Sequence, residues 1–507
     1  LSELGYEGDP DKRLLDPACG SGTFLVMAIN RIKRWFGEHR HECGYGESQL
    51  VQKIVRNVVG FDLNPLAVMA ARTNYLMALR ELLEHLGHIE VPVYLCDSVV
   101  MPFDYSTGAA TLAYRHLKTA EGVFKIPKEV ISSREQLGNY ARVLETSVPN
   151  ECETAEFLAR CGEQGLPVTK GDLHKSLYKK LRRLDAQNRN AIWTRIIRNA
   201  FAPVFIERVD YIAGNPPWVN WENLPTQYRH DMKHLWQSYG LFSLSGSAGR
   251  LGGGKKDLSM LFVYSCVDHF LKDGGKLGFV ITQTVFKTKG AGDGFRRFKF
   301  IHGIPRIVLK PLVVHDLSAI QVFQGATNRT AVLVCRRDKQ DFAYPVNYVA
   351  WRGPSRLPPD ATLQEVRDQC HQRRLAAIHV DPKKKRSPWL TAAPAALPGI
   401  RKVIGKSYYT AHAGVYSGGL NACFWIRLLQ RLRDGNVLIE NLHDVGRIKL
   451  QHVRSVIEPD LVYPLLRGRD VSRWRAEPSA HIVLAQDPVT RRGIPESQMK
   501  RKLPKTY

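Results

Sequence analysis

The first hundred residues alternate short apolar runs with stretches of helical periodicity. Arg13–Ala18 (RLLDPA), Val58–Leu63 (VVGFDL) and Val91–Asp97 (VPVYLCD) each read as a short buried strand. Between them, Thr23–Phe36 repeats apolar residues at helical spacing, and Pro65 opens a helix reaching to about Leu86. Strands alternating with helices predict a parallel sheet covered by helices, an α/β fold. Residues 105–185 interrupt the pattern with polar, mixed-charge sequence and predict a mostly helical insertion. The alternation resumes with an amphipathic helix from about Asn188. Strands follow at Arg208–Ala213, Lys276–Thr282, Arg306–Leu309 and Arg329–Arg336, with a helix over Lys256–Leu271. Seven strands are therefore expected, in a domain formed by residues 1–104 and 186–345. Residues 352–395 are rich in Pro, Arg and Ala, and 346–399 is expected to be a connector. From residue 400 to 507, short apolar runs, Gly turns and basic residues predict a second, mixed α/β domain.

Composition narrows the partners. Lys+Arg number 73 against 48 Asp+Glu, a formal charge of +25, which favours a polyanion and most often nucleic acid. No run approaches the roughly eighteen apolar residues of a membrane span, and no signal peptide opens the chain. The 9 cysteines are scattered without a C-x-x-C pair, as in a reduced, cytoplasmic protein. The chain starts at Leu1 without methionine and stops without a tail, so it is expected to be a piece of a longer protein.

Chemistry concentrates at the strand ends. Asp16-Pro17-Ala18-Cys19-Gly20-Ser21-Gly22-Thr23 ends a strand in an acid and opens a helix through a glycine turn, where free N–H groups meet a ligand. Asp62, at the end of the second strand, can accept two hydrogen bonds from a ribose diol. Asp97, at the end of the third, can accept from the exocyclic amine of an adenine. Taken singly, each acid is a common helix cap. Together beside one glycine turn, they describe a nucleoside site at the carboxyl edge of a sheet. After the fourth strand comes Gly214-Asn215-Pro216-Pro217-Trp218. Asn215 and the proline carbonyls are acceptors and Trp218 is a flat face, a combination that suits a planar base bearing an amino group.

These motifs, in this order, resemble the S-adenosylmethionine-dependent adenine-N6 DNA methyltransferases in which the methyl-donor motifs come first and the target-recognition domain last. DPACGSG, GFDLNP, LCDS and GNPPW look like the family's first four motifs. Asp257–Phe262, Gly275–Ile281, and Val322-Phe323-Gln324-Gly325 with Thr330–Leu333 resemble later ones. Gly414–Phe424 and Leu465–Val471 resemble the Taq-type recognition domain of restriction-modification enzymes. The resemblance implies a class I methyltransferase, Rossmann-like sheet of seven strands, with S-adenosylmethionine held by Asp16, Ala18, Cys19, Gly20, Gly22, Thr23, Phe24, Asp62, Leu63, Asp97, Ser98 and Asn215. It implies catalysis by Asn215, Pro216, Pro217 and Trp218, with Phe323 stacking on a flipped base. Double-stranded DNA is the implied substrate, within a restriction-modification or phage-defence system whose other subunits are further partners. Arg296, Arg297, Asn421, Arg467, Arg469, Arg473 and Trp474 are the DNA contacts expected.

Two departures from the family concern the layout of the chain. The segment that covers the methyl donor should lie upstream of Leu1, and Asp97 and Asn215 stand 118 positions apart. Rival readings are a cytosine-N4 or RNA methyltransferase and a non-catalytic DNA-binding specificity module. Gly249–Lys256 (GRLGGGKK) nearly spells a phosphate-binding loop but lacks the final Ser/Thr, and reads as a basic loop near DNA. His39, His41 and Cys43 lack further spaced ligands, so no metal is expected.

Overall fold

Seven strands form where the apolar pattern predicts them, and three more extend the same sheet. The computed structural model describes all residues except 86, 88, 101–112, 120, 188–192, 243–255, 291, 302–305, 324–327, 355–356, 359–360, 406, 411–413, 416, 447, 488 and 491. The glycine-rich loop of 249–255 lies outside the described residues. The chain divides into two units, Leu1–Ile404 and Gly405–Tyr507. No described helix is long and apolar enough to cross a membrane.

In the first unit, β1 (Leu14–Asp16), β2 (Val58–Asp62) and β3 (Val93–Leu95) alternate with α1 (Thr23–Glu38), α2 (Glu47–Asn57) and α3 (Pro65–Leu79). A hairpin, β4 (Tyr114–Thr119) and β5 (Gly122–Pro127), opens the insertion. It continues through α4 (Arg134–Ser147), α5 (Thr154–Glu163), α6 (Gly171–Ala186) and α7 (Trp193–Phe201). β6 (Val209–Gly214), α8 (Thr226–Ser238), α9 (Leu258–His269), β7 (Leu271–Thr282), β8 (Val308–Asp316) and β9 (Thr330–Asp338) return to the sheet. The order β8-β9-β7-β6-β1-β2-β3 has β9 antiparallel to both neighbours and the other strands parallel. This is the class I methyltransferase arrangement.

Burial on both faces explains the near-continuous apolar strands. Val58–Phe61 is buried throughout. One face packs α1, α2 and α3 residues such as Leu25, Ile29, Ile54 and Tyr75. The other packs α8 and α9, including Trp236, Leu261 and Tyr264. The insertion has its own core, with Phe124, Tyr140, Phe157 and Tyr178, and that core reaches past residue 185 to Ile197 and Phe201.

The stretch 346–399 is not a connector. β10 (Val346–Arg352) pairs parallel with β8, and β11 (His371–His379) and β12 (Trp389–Ala392) continue antiparallel, so the sheet has 10 strands. The Pro and Arg content hid them because these strands bury few positions. β11 exposes His371–Arg374 and buries only Ala376, Ala377 and Ile378.

The second unit is chiefly antiparallel. β13 (Trp425–Arg431), β14 (Val437–Asn441), β15 (Arg454–Ile457), β16 (Val462–Leu465) and β19 (Ala480–Val483) form one sheet around Ile426, Val437, Ile439 and Ile457. β17 (Val471–Ser472) and β18 (Arg475–Ala476) form a hairpin, and a helix spans Glu496–Lys502.

Two arginines expected on DNA have internal roles. Arg296 is 1% exposed. Its Nε donates to the carbonyls of Arg386 and Ser387, Nη1 to that of Val285, and Nη2 to Asp293 at 2.5 Å. Burial lowers its pKa to about 10. Arg297 is half-buried against Gly240, whose carbonyl it meets at 3.5 Å. A lone pair of basic letters cannot show whether its side chains turn toward solvent or toward backbone carbonyls. Arg296→Met should cost about 3 kcal/mol or more, because three carbonyls and a carboxylate lose their donor. Chemical denaturation should show this, and a variant as stable as the parent would remove the structural role.

Candidate methyl-donor and base site

The site is built where β1, β2, β3 and β6 end. β1 lies between β2 and β6 in parallel register, with Asp16 opposite Gly60 and Leu15 opposite Ile212. That register brings Asp16, Asp62, Asp97 and Asn215 to one edge of the sheet. The turn after β1 is made by Gly20 (φ 54°) and Gly22 (φ 86°), left-handed conformations that favour glycine. Gly22 caps α1, and a β-carbon there would sit 3.2 Å from the Ala71 backbone. At Gly60 it would meet Leu25 at 2.7 Å, so glycine in β2 lets the start of α1 settle on the sheet. Gly20 has open space above it, as a cradle for a ligand requires.

Asp62 links the turn to the second strand. Its Oδ2 accepts from Gly20 N at 2.9 Å and its Oδ1 from Asn64 N at 2.8 Å. Asn64 in turn caps α3, accepting from Leu66 N at 2.9 Å. Cys19 N donates to Phe61 O at 2.8 Å, and Ser98 Oγ donates to Pro17 O at 2.8 Å. The ends of β1, β2 and β3 are thereby tied together. Ala18 and Phe24 are half-buried, and Thr23 and Leu63 are exposed. Burial raises the Cys19 thiol well above its ordinary value.

Asp97 is already engaged. Oδ1 accepts from Val99 N at 2.7 Å and Val100 N at 2.8 Å, and Oδ2 accepts from Tyr228 Oη at 2.7 Å. A carboxylate has about four lone-pair directions, so one remains for a ligand. Tyr228, on α8, is 131 positions away, and nothing in the sequence pairs it with Asp97.

Asp16 is 1% exposed, and burial raises its pKa to about 8, with the Asp62 charge adding to the shift and the Ala18 N–H opposing it. After Gly214 at the end of β6, Asn215 is exposed and Pro216 buried. Among the described residues, no partner bonds the Asn215 side chain. Trp218 Nε1 donates to Val280 O on β7 at 3.1 Å, which fixes the indole plane. Phe323 packs on it with centroids 5.3 Å apart and planes at 78°. A planar base can lie face-on against only one of two rings held at that angle. Gln324 and Gly325 lie outside the described residues.

In the second unit, Arg469, Arg473 and Trp474 are exposed, and Trp474, at 93%, forms the hairpin tip between β17 and β18. Arg467 is not free for DNA. Its side chain is 12% exposed and donates to Asp470 and Ser479, closing a turn that the sequence does not mark. Asn421 begins the short helix Asn421–Phe424 and accepts from Ser417 Oγ.

Asp16 yields a pH test. The unfolded chain releases this proton near the ordinary 3.8 and the folded chain only near 8. Unfolding between those values releases a proton, so this group makes stability fall as pH rises from about 4 to about 8. Asp16→Asn should flatten that fall in urea midpoints taken across the window. Parallel pH profiles for parent and variant would contradict the buried, protonated carboxyl.

The chain is similar to known proteins. Residues 56–307 match the family of the Eco57I restriction-modification methylase, and residues 6–90 match the RMKL-like methyltransferase domain. The adenine-specific methyltransferase PglX of Streptomyces coelicolor (strain ATCC BAA-471 / A3(2) / M145) is 35% identical over 107 residues, 20% of this chain and 8% of that protein. The modification methylase CviBIII of Paramecium bursaria Chlorella virus NC1A is 25% identical over 179 residues, 33% of this chain and 39% of that protein. The chain thus spans well under half the length of either curated relative. Among solved structures, a nuclease-deletion mutant of the Type ISP restriction-modification enzyme LlaGI with a DNA substrate mimic aligns over 74% of this chain and 24% of that one. Its TM-score is 0.39 and its identity 16%. The M protein of the Type I restriction enzyme EcoKI aligns over 70% and 47%, with a TM-score of 0.32 and 12% identity. Both family matches are to methyltransferases, and they fall on the region whose strand ends carry residues 16, 62, 97 and 215.

Proposed function

We propose that this chain is the methyltransferase part of a site-specific DNA-modifying enzyme that transfers a methyl group from S-adenosylmethionine to adenine N6. The observation that carries the proposal is Asn215-Pro216-Pro217-Trp218 at the end of β6, beside the buried Asp16, with Phe323 against Trp218. The residues fit the donor. Open space over Gly20, the Gly20–Asp62 link and the remaining lone pair of Asp97 make a cradle for a nucleoside at the sheet edge. Asp16, Ala18, Cys19, Gly22, Thr23, Phe24, Leu63 and Ser98 would complete it. When bound, S-adenosylmethionine supplies a methyl group already activated by its sulfonium.

The chain's own residues then have to sharpen a poor nucleophile. The N6 lone pair of adenine is delocalised into its ring. Asn215 Oδ1 and the Pro216 carbonyl would each accept one N6 hydrogen, favouring a pyramidal nitrogen whose lone pair points away from the protein acceptors. Fixed acceptors need no reorganisation during reaction. Pro216 and Pro217 hold the turn stiff because their φ angles are locked. N6 is engaged in base pairing, so the base must leave the duplex. One of the rings of Trp218 and Phe323 would face the extruded base and the other would meet its edge. Exposed Arg469, Arg473 and Trp474 are the DNA contacts retained in this reading, with Asn421.

Asn215→Ala should reduce transfer of labelled methyl to DNA by about 10²–10³-fold. Donor affinity should change little, and digestion of the parent's DNA product should yield N6-methyl-2′-deoxyadenosine. Undiminished turnover by the variant, or a modified cytosine in the digest, would overturn this reading.

A further inference from the structure

A second concave site lies at the other end of β3. Asp97, of the methyl-donor edge, follows β3, whereas Ile89, Glu90 and Val91 precede it and border a cleft of about 890 Å³. Its other walls come from α3, α4 and α7. The lining as a whole carries five arginines, Arg72, Arg134, Arg142, Arg195 and Arg198, against two carboxylates, Glu90 and Glu135.

Little of this positive charge is neutralised. Glu90 pairs with Arg134 at 2.5 Å, and Arg134 also lies 4.9 Å from the Tyr94 ring centroid. Arg72 donates to Val93 O at 2.9 Å and Arg142 to Asn139 Oδ1 at 3.1 Å, both neutral acceptors. Arg195 and Arg198 are exposed, and neither side chain has a hydrogen bond or ion pair among the described residues. Their spacing of three residues puts both on one side of α7. On α4, Arg134 and Arg142 share a face with the residue midway between them, Gly138. Glycine inside a helix is unfavourable relative to alanine. A β-carbon at Gly138 would meet nothing within 4 Å, so packing does not demand the glycine. Its lack of a side chain keeps the cleft open between the two arginines.

The rest of the lining is suited to a nucleoside. Leu137, Ala202 and Phe205 supply an apolar surface, and Asn139 and Asn199 supply amides that can meet the polar edge of a base. The volume falls in the range of small-molecule pockets, about 300–1,000 Å³, and all five arginines border this one concavity. We propose that this cleft, formed by the insertion and the β3 edge of the sheet, binds a nucleoside polyphosphate. Guanidinium groups bind phosphate oxygens through paired, charge-assisted hydrogen bonds, which accounts for the use of arginine in all five basic positions.

The test is calorimetric titration of ATP into the full-length protein, with S-adenosylhomocysteine saturating the methyl-donor site. Single-site binding is expected. The double variant Arg195→Glu/Arg198→Glu should weaken it by about tenfold or more. Gly138→Trp, which fills the cleft without removing charge, should weaken it similarly, and both variants should keep the parent's circular dichroism spectrum and donor affinity. Absence of ATP binding to the parent would overturn the proposal, as would equal ATP affinity in the variants. A parallel titration with a 20-base-pair duplex separates the two phosphate sources. Loss of duplex binding in the double variant, with no ATP binding by the parent, would reassign the cleft to DNA.

Discussion

The site depends on a close approach between two strand ends. A β-carbon at residue 214 would come within 2.6 Å of Asp16 Oδ1. Glycine there lets β6 lie beside β1 with the Asp16 carboxyl sealed beneath it, and places Asn215 at the rim directly afterwards. Burial holds the proton on Asp16 far above the usual carboxylate range. Its energetic cost is tolerable because the neutral carboxyl need not be desolvated as an ion. Around it, Asp62 and Asp97 keep backbone hydrogen bonds that fix the turns after β2 and β3. The three acids therefore play different parts. One is buried, with its pKa raised by that burial, one links the glycine turn to β2, and one anchors a turn to α8.

Much of this was legible because parallel α/β folds write their sites at strand ends. An apolar run ending in Asp, followed by a glycine or proline turn, determines both where the strand stops and what chemistry stands there. Seven strands and the edge with residues 16, 62, 97 and 215 follow from that rule. Tyr228 did not, because its bond to Asp97 is tertiary and spans the whole insertion. β10, β11 and β12 did not either. A strand with exposed positions in a Pro- and Arg-rich stretch has neither the continuous apolar run of a central strand nor clean alternation. The burial of Val346, Tyr348 and Trp351 makes sense only once β8 is in place beside them.

Those additional strands also support the loop that carries Phe323. Asp316 ends β8, and its Oδ2 accepts from Tyr348 of β10 at 2.5 Å and from Gln283, just after β7, at 3.1 Å. Gln283 N donates to Arg329 O, and Leu317 N to Thr330 O, so both ends of the segment between β8 and β9 are fastened. Trp218, bonded to Val280 of β7, meets Phe323 from the other side. The aromatic pair is thus positioned by a hydrogen-bonded base extending into β10, beyond the seven-stranded core.

The charge surplus takes on a different meaning once the side chains are placed. A formal +25 invites the assumption that the arginines form one anion-binding surface. Several instead act as internal staples, where a guanidinium replaces several separate donors. Arg337 is 6% exposed and donates to the carbonyls of Val267 and Asp268 at the end of α9 and of Leu271 at the start of β7, as well as to Asp273. Helix ends leave carbonyls unsatisfied, and a fixed cation there both satisfies them and opposes the helix dipole. Arg296 and Arg467 serve comparable purposes at turns. Net charge therefore cannot locate a binding surface in this chain. What distinguishes a binding arginine is an exposed guanidinium with no internal acceptor, a property of the folded side chain and not of its letter in the sequence.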